Sequence, residues 1–138
     1  MQRDHETTLR AFMHEWGTDF ESILEAFRRY LAPNAVWVQD PAPTTRTIDE
    51  ALGLLRDTRE RLGLETFAAE IRHIAVNGDV AFAERIDHLR RADGSLITSL
   101  PLIGVFEFDR EGRIAAWREY FDSAALMKAL ADAADAAR

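Results

Sequence analysis

The sequence predicts an α+β fold, with helices packed on one face of a bent, mostly antiparallel sheet. Two features of its 138 residues lead there. Apolar residues recur at helical spacing through the first part of the chain, and from Leu64 onward the period changes to two. The turn signals Asn77-Gly78, Ala92-Asp93-Gly94 and Arg110-Glu111-Gly112 then divide the second half into successive strands.

Leu9, Phe12, Met13 and Trp16 fall at i, i+3, i+4 and i+7 and predict a first helix, stopped by Gly17-Thr18-Asp19. Phe20, Ile23, Leu24, Phe27 and Leu31 predict a second helix to about Tyr30, ended by Pro33-Asn34. The stripes through Trp16 and Phe20 read as core. Ala35–Asp40 predicts a strand closed by Pro41-Ala42-Pro43. Thr47 and Glu50 have capping-box spacing and open a third helix through Leu52, Leu55 and Leu62 to Gly63.

Phe67, Ala69, Ile71 and His73 then alternate with polar neighbours, and a strand carrying Arg85 and Asp87 follows the Asn77-Gly78 turn. Leu96–Phe108 predicts the next strand. Pro101 within it requires a bulge or an open edge, because proline lacks the N–H of the ladder. Ile114–Phe121 predicts the last strand, and Asp122-Ser123 can cap a final helix packed through Leu126, Met127 and Leu130. The alanine-rich stretch 129–138 favours helix but is free to fray. Nothing repeats and no linker divides the chain, so residues 1–138 read as one domain.

Composition narrows the function. Hydrophobic residues at 47% and charged residues at 30% describe an ordinary globular chain. A net charge of −7, with scattered arginines and Lys128 as the one lysine, argues against a groove that tracks phosphates. With no cysteine there is no thiolate chemistry, and His5, His14, His73 and His88 lack metal-ligand spacing. No metal or cofactor is expected. No apolar run reaches membrane-spanning length and Met1–His5 does not read as a signal peptide, so a cytoplasmic protein is expected.

The chemistry-bearing stretch is Ala83-Glu84-Arg85-Ile86-Asp87-His88-Leu89. Strand alternation puts Ala81, Ala83, Arg85, Asp87 and Leu89 on one face and Phe82, Ile86 and His88 on the other. Small alanines leave room before an arginine and a carboxylate that point the same way. A structural ion pair is the simpler account. Asp40, Asp87 and Asp122 are three carboxylates where strands bury side chains or end, and one guanidinium can hold two carboxylates. Such a pair can keep one group protonated as an acid and the other ionised as a base.

Several segments resemble the limonene-1,2-epoxide hydrolase family. They are Ala83–Arg90, Ile103-Gly104-Val105-Phe106, Glu111-Gly112-Arg113-Ile114 and Trp117-Arg118-Glu119-Tyr120-Phe121-Asp122. The similarity runs from about Leu24 to Leu130. It implies a cone-shaped NTF2-like (SnoaL-like) fold around a deep pocket, in a homodimer. It also implies one-step opening of a small lipophilic epoxide, without metal or covalent intermediate. By that resemblance Asp122 is the base on water, Asp87 the acid and Arg85 the bridge between them. Leu89, Leu100 and Leu102 would line an apolar wall. The family's water-holding Tyr and Asn become Trp37 and Gln39 here, which retain an indole N–H and an amide.

Two other readings stand beside this one. The same fold hosts ketosteroid isomerases and polyketide cyclases, and Asp40-Pro41 resembles the Asp-Pro segment of the isomerases. A non-catalytic binding module would keep Arg85 and Asp87 as an ion pair only.

Overall fold

The computed structural model describes residues 4–136. In chain order it contains α1 (His5–Glu15), α2 (Phe20–Tyr30), β1 (Leu31–Val38), α3 (Ile48–Leu62), β2 (Leu64–Asn77), β3 (Val80–Arg91), β4 (Leu96–Phe108), β5 (Ile114–Tyr120) and α4 (Ser123–Ala136). The strands form one curved sheet in the order β1-β5-β4-β3-β2. β1 runs parallel to β5, and all other neighbours are antiparallel. Among the described residues no helix is long and apolar enough to cross a membrane.

Local chemistry sets the element ends. Asp4 caps α1 by accepting from the Thr7 N–H, and Asp19 caps α2 by accepting from Ser22 N–H at 2.7 Å. Thr47 accepts from Glu50 N–H to start α3, while Glu50 reaches back to Arg46 N–H. Gly63 ends α3 at a φ of +77°, a left-handed conformation that glycine adopts without a Cβ clash.

β1 begins at Leu31, directly after α2, and not at Ala35. Leu31 pairs with Ile114, and regular pairing resumes only at Val36 with Ala116. Pro33 and Asn34 are exposed in the irregular stretch between, where a missing N–H breaks no ladder. Pro101 takes the open-edge alternative. It pairs with Ile86 on β3, but β5 flanks β4 only from Ile103 onward. A second irregularity between Ile71 and His73 turns His73 to the outer face, opposite Glu84, so the alternation read through His73 breaks there.

The inner face of the sheet and the helices enclose an aromatic core. Trp117 on β5 stacks on Trp37 at 4.7 Å, on Phe106 at 5.2 Å and on Trp16 at 5.5 Å, with Phe12 and Phe27 against its edges. The Trp16 carbonyl accepts from Phe67 N–H at 3.1 Å, which ties the end of α1 to β2. Trp16 and Phe20 are buried, as their stripes predict. Met127, expected to pack inward, is 52% exposed, whereas Leu130 packs against the core. The final helical turn expected at Ala137 and Arg138 lies outside the described residues.

Phe27→Ala removes a fully buried ring and is expected to cost about 3–5 kcal/mol in urea denaturation, while Met127→Ala should stay within about 0.5 kcal/mol. Equal effects at the two sites would contradict this assignment of the core.

Candidate active site

Along β3 the buried residues are Ala81, Ala83, Arg85 and Asp87, four of the five that alternation places on one face; the fifth, Leu89, is half-buried. Arg85 forks onto Asp87, with Nε donating to Oδ1 at 2.9 Å and Nη2 to Oδ2 at 3.2 Å. The same Nη2 donates to both carboxylate oxygens of Glu119 on β5, at 2.7 and 2.8 Å. Arg85, Asp87 and Glu119 are 2%, 6% and 7% exposed, so the two carboxylates share one cation away from water. The Trp117 indole N–H also donates to Glu119 Oε1. The guanidinium carbon lies 5.2 Å from the centre of the Trp16 ring and 5.9 Å from that of Phe106, within cation–π range.

Burial pushes the Glu119 carboxyl up from its ordinary 4.5 to about 7; Arg85 opposes that rise and the Asp87 charge adds to it. Burial also raises Asp87, again against the pull of Arg85. Burial would lower Arg85, but its two carboxylates outweigh burial and hold it firmly protonated. Ionising both acids would leave a net negative charge in an aromatic interior, so the site favours keeping one proton on the pair.

Asp122 stands elsewhere. The expected bridge from Asp87 through Arg85 to Asp122 is absent, and Glu119 takes the second place. β5 ends at Tyr120, so Asp122 lies past the strand and is exposed. Its carboxylate accepts from Ala125 N–H at 3.0 Å and caps α4. The signal for Glu119 was present in the strand period, because the alternation that turns Trp117 inward turns Glu119 inward as well.

Trp37 is buried against Trp117, and its indole N–H has no hydrogen-bond partner among the described residues. Gln39 is half-buried, one residue beyond Val38, which pairs with Arg118. Parallel register therefore brings the Gln39 end of β1 alongside Glu119. Leu102 sits opposite Arg85 and Leu100 opposite Asp87, with Leu89 two residues further along β3. Leu102 is buried, and Leu100 and Leu89 are half-buried. Asp40 is exposed beyond the end of β1.

Helices over a curved mixed sheet, with an acid–cation–acid cluster on its inner face, define an NTF2-like protein with a paired-carboxylate site. The chain belongs to the family of the limonene-1,2-epoxide hydrolase catalytic domain, whose sequence pattern matches residues 4–132. Over 77 residues it is 39% identical to the epoxide hydrolase EphG of Mycobacterium tuberculosis. That stretch is 56% of this chain and 48% of the relative, so the chain spans about half the length of the curated relative it matches. A solved structure of an M. tuberculosis epoxide hydrolase of the same type superposes with a TM-score of 0.72 at 25% identity, covering 94% of this chain and 90% of the other. An NTF2-like protein of unknown function from Burkholderia pseudomallei superposes at 0.76 with 16% identity, over 94% and 98% of the two chains, and shows the fold alone.

The raised Glu119 carboxyl links stability to pH. The folded protein holds this proton more tightly than the unfolded chain, whose value is near 4.5, so folding takes up a proton between about 4.5 and about 7. The stabilisation is complete below the unfolded value and is lost as pH rises through about 7. Across that window wild type should lose roughly 3 kcal/mol relative to Glu119→Gln in parallel denaturation curves. Parallel pH dependence of the two proteins would show that Glu119 is not shifted.

Proposed function

We propose that this chain hydrolyses a small lipophilic epoxide to a vicinal diol in one step, with Glu119 as base, Asp87 as acid and Arg85 holding both. The observation that carries the reading is the pair of buried carboxylates on a single guanidinium. Glu119 removes a proton from water while the water oxygen bonds to an epoxide carbon. Asp87 delivers its proton to the epoxide oxygen as the C–O bond breaks. One water is consumed, and the exchanged proton must return from Glu119 to Asp87 before the next turnover.

Register supports this division of roles. Glu119 lies on the strand beside β1, where the Trp37 indole N–H and the Gln39 amide are available to hold water. Asp87 lies on the other side of Arg85, facing Leu100. An indole N–H donates to the water oxygen and leaves its protons free for Glu119 and Gln39. Leu89, Leu100 and Leu102 supply the apolar wall for the hydrocarbon part of the substrate.

The first test is turnover of limonene oxide, cyclohexene oxide and styrene oxide in isotopically heavy-oxygen water. Label in the diol after a single turnover, with none left on the protein, supports direct attack by water; label retained on a carboxylate rules it out. Glu119→Gln and Asp87→Asn should each lower turnover about 100-fold or more. Asp122→Asn should hydrolyse at close to the wild-type rate. A dead Asp122 variant with an active Glu119 variant would reverse the assignment of the base.

We also propose that two copies pair through the outer sheet face, where Phe82, Ile103 and Tyr120 are 38%, 45% and 57% exposed on adjacent strands. Light scattering should give a dimer mass for wild type and a monomer mass for Ile103→Arg. A monomeric wild type would refute the pairing.

A further inference from the structure

Arg85 and Glu119 do not belong to neighbouring strands. β4 runs between β3 and β5, so about 10 Å separates the two backbones. The side chains meet by lying across the inner face of β4, and the residue under that crossing is Gly104. It pairs with Ala83 on one side and with Glu119 on the other. A Cβ placed on Gly104 would stand 2.7 Å from Arg85 Nη1 and 2.8 Å from Phe106 Cε1, closer than real Cβ contacts come. Neither neighbour can swing into solvent, because Arg85 is 2% exposed and Phe106 fully buried.

Backbone conformation does not call for this glycine. The positive-φ glycines are Gly63, Gly78, Gly94 and Gly112, and Gly104 is not among them. Within a strand, glycine forgoes side-chain packing and weakens the element. Its reason here is the volume taken by the guanidinium.

We infer that Gly104 is a positioning residue for the acid–base pair, its missing side chain being what lets Arg85 cross β4 and hold Asp87 and Glu119 together. The inference rests on the proposed roles of those three residues for its effect on rate, but not for its effect on geometry. A methyl group at this position lifts the guanidinium from the sheet and loosens its 2.7 and 2.8 Å bonds to Glu119 first, since these lie on the far side of the crossing. Arg85 is what opposes the upward shift of Glu119, so loosening it raises that carboxyl further.

The test is Gly104→Ala, read in three ways. Turnover should fall by about tenfold or more with little change in KM, because a displacement of order 1 Å is felt mainly in the chemical step. The limb of the pH–rate profile on which activity rises with pH should move to higher pH. Infrared titration of the buried carboxyls, assigned by difference from Glu119→Gln, should show the same upward movement. A purely structural glycine would lower the melting temperature and leave both titrations where they are, and that result would overturn the inference. If wild type turns over no epoxide, the functional reading fails while the infrared titration still decides the role of Gly104. If Gly104→Ala does not fold, it is remade with Arg85→Lys, which removes Nη1 and leaves Phe106 in place. Recovery of folding in the double variant supports the crossing, whereas recovery with Phe106→Leu in place of Arg85→Lys assigns the penalty to Phe106 and overturns it.

Discussion

Transferring an ion from water to a protein interior costs several kcal/mol after relaxation, and Arg85, Asp87 and Glu119 are all buried. The cost is tolerable only as a unit. One guanidinium supplies its Nε and Nη2 to Asp87 and shares the same Nη2 with Glu119, and a proton retained on the pair removes the excess negative charge. Removing any one member strands the others in an aromatic environment. Much of the surrounding fold can be understood as the frame for this contact. Two alanines on β3 and a glycine on β4 clear its volume, Trp16 and Phe106 present ring faces to the cation, and the Trp117 indole occupies one lone pair of Glu119.

Sheet topology gives the cluster two different ends. The Glu119 end lies next to β1, the one parallel neighbour in the sheet, so the residues after Val38 continue alongside it. The Asp87 end lies where β4 has outrun β5, opposite Leu100 and next to the proline that the open edge accommodates. One side is thus furnished with N–H groups and an amide, the other with leucines. Two carboxylates that share a cation are set in unlike surroundings, the condition under which an acid and a base can coexist at one pH.

Much of this was legible in the residues. The change of period at Leu64 locates the sheet, the Gly-containing turns locate its hairpins, and alternation brings Arg85 and Asp87 to one buried face. Two kinds of information were missing. Bulges shift strand ends and faces without a sequence mark of their own, which is why β1 starts at Leu31 and His73 turns outward. The partner of Arg85 depended on where the last strand stops. Asp122 is a carboxylate at a helix start, and such a group is satisfied by backbone N–H groups at its own cap. Glu119 looked like an ordinary charged residue between Arg118 and Tyr120, and only its phase relative to Trp117 separates it from a surface glutamate.

The aromatic stack has an optical consequence. The chain contains three tryptophans, Trp16, Trp37 and Trp117, and all three belong to one stack whose central indole is bonded to Glu119. Indole emission responds to nearby charge and to quenching by close neighbours. The tryptophan fluorescence of this protein therefore arises from a single location beside the carboxylates, and changes in their charge state or in what sits against them can be followed without any added label.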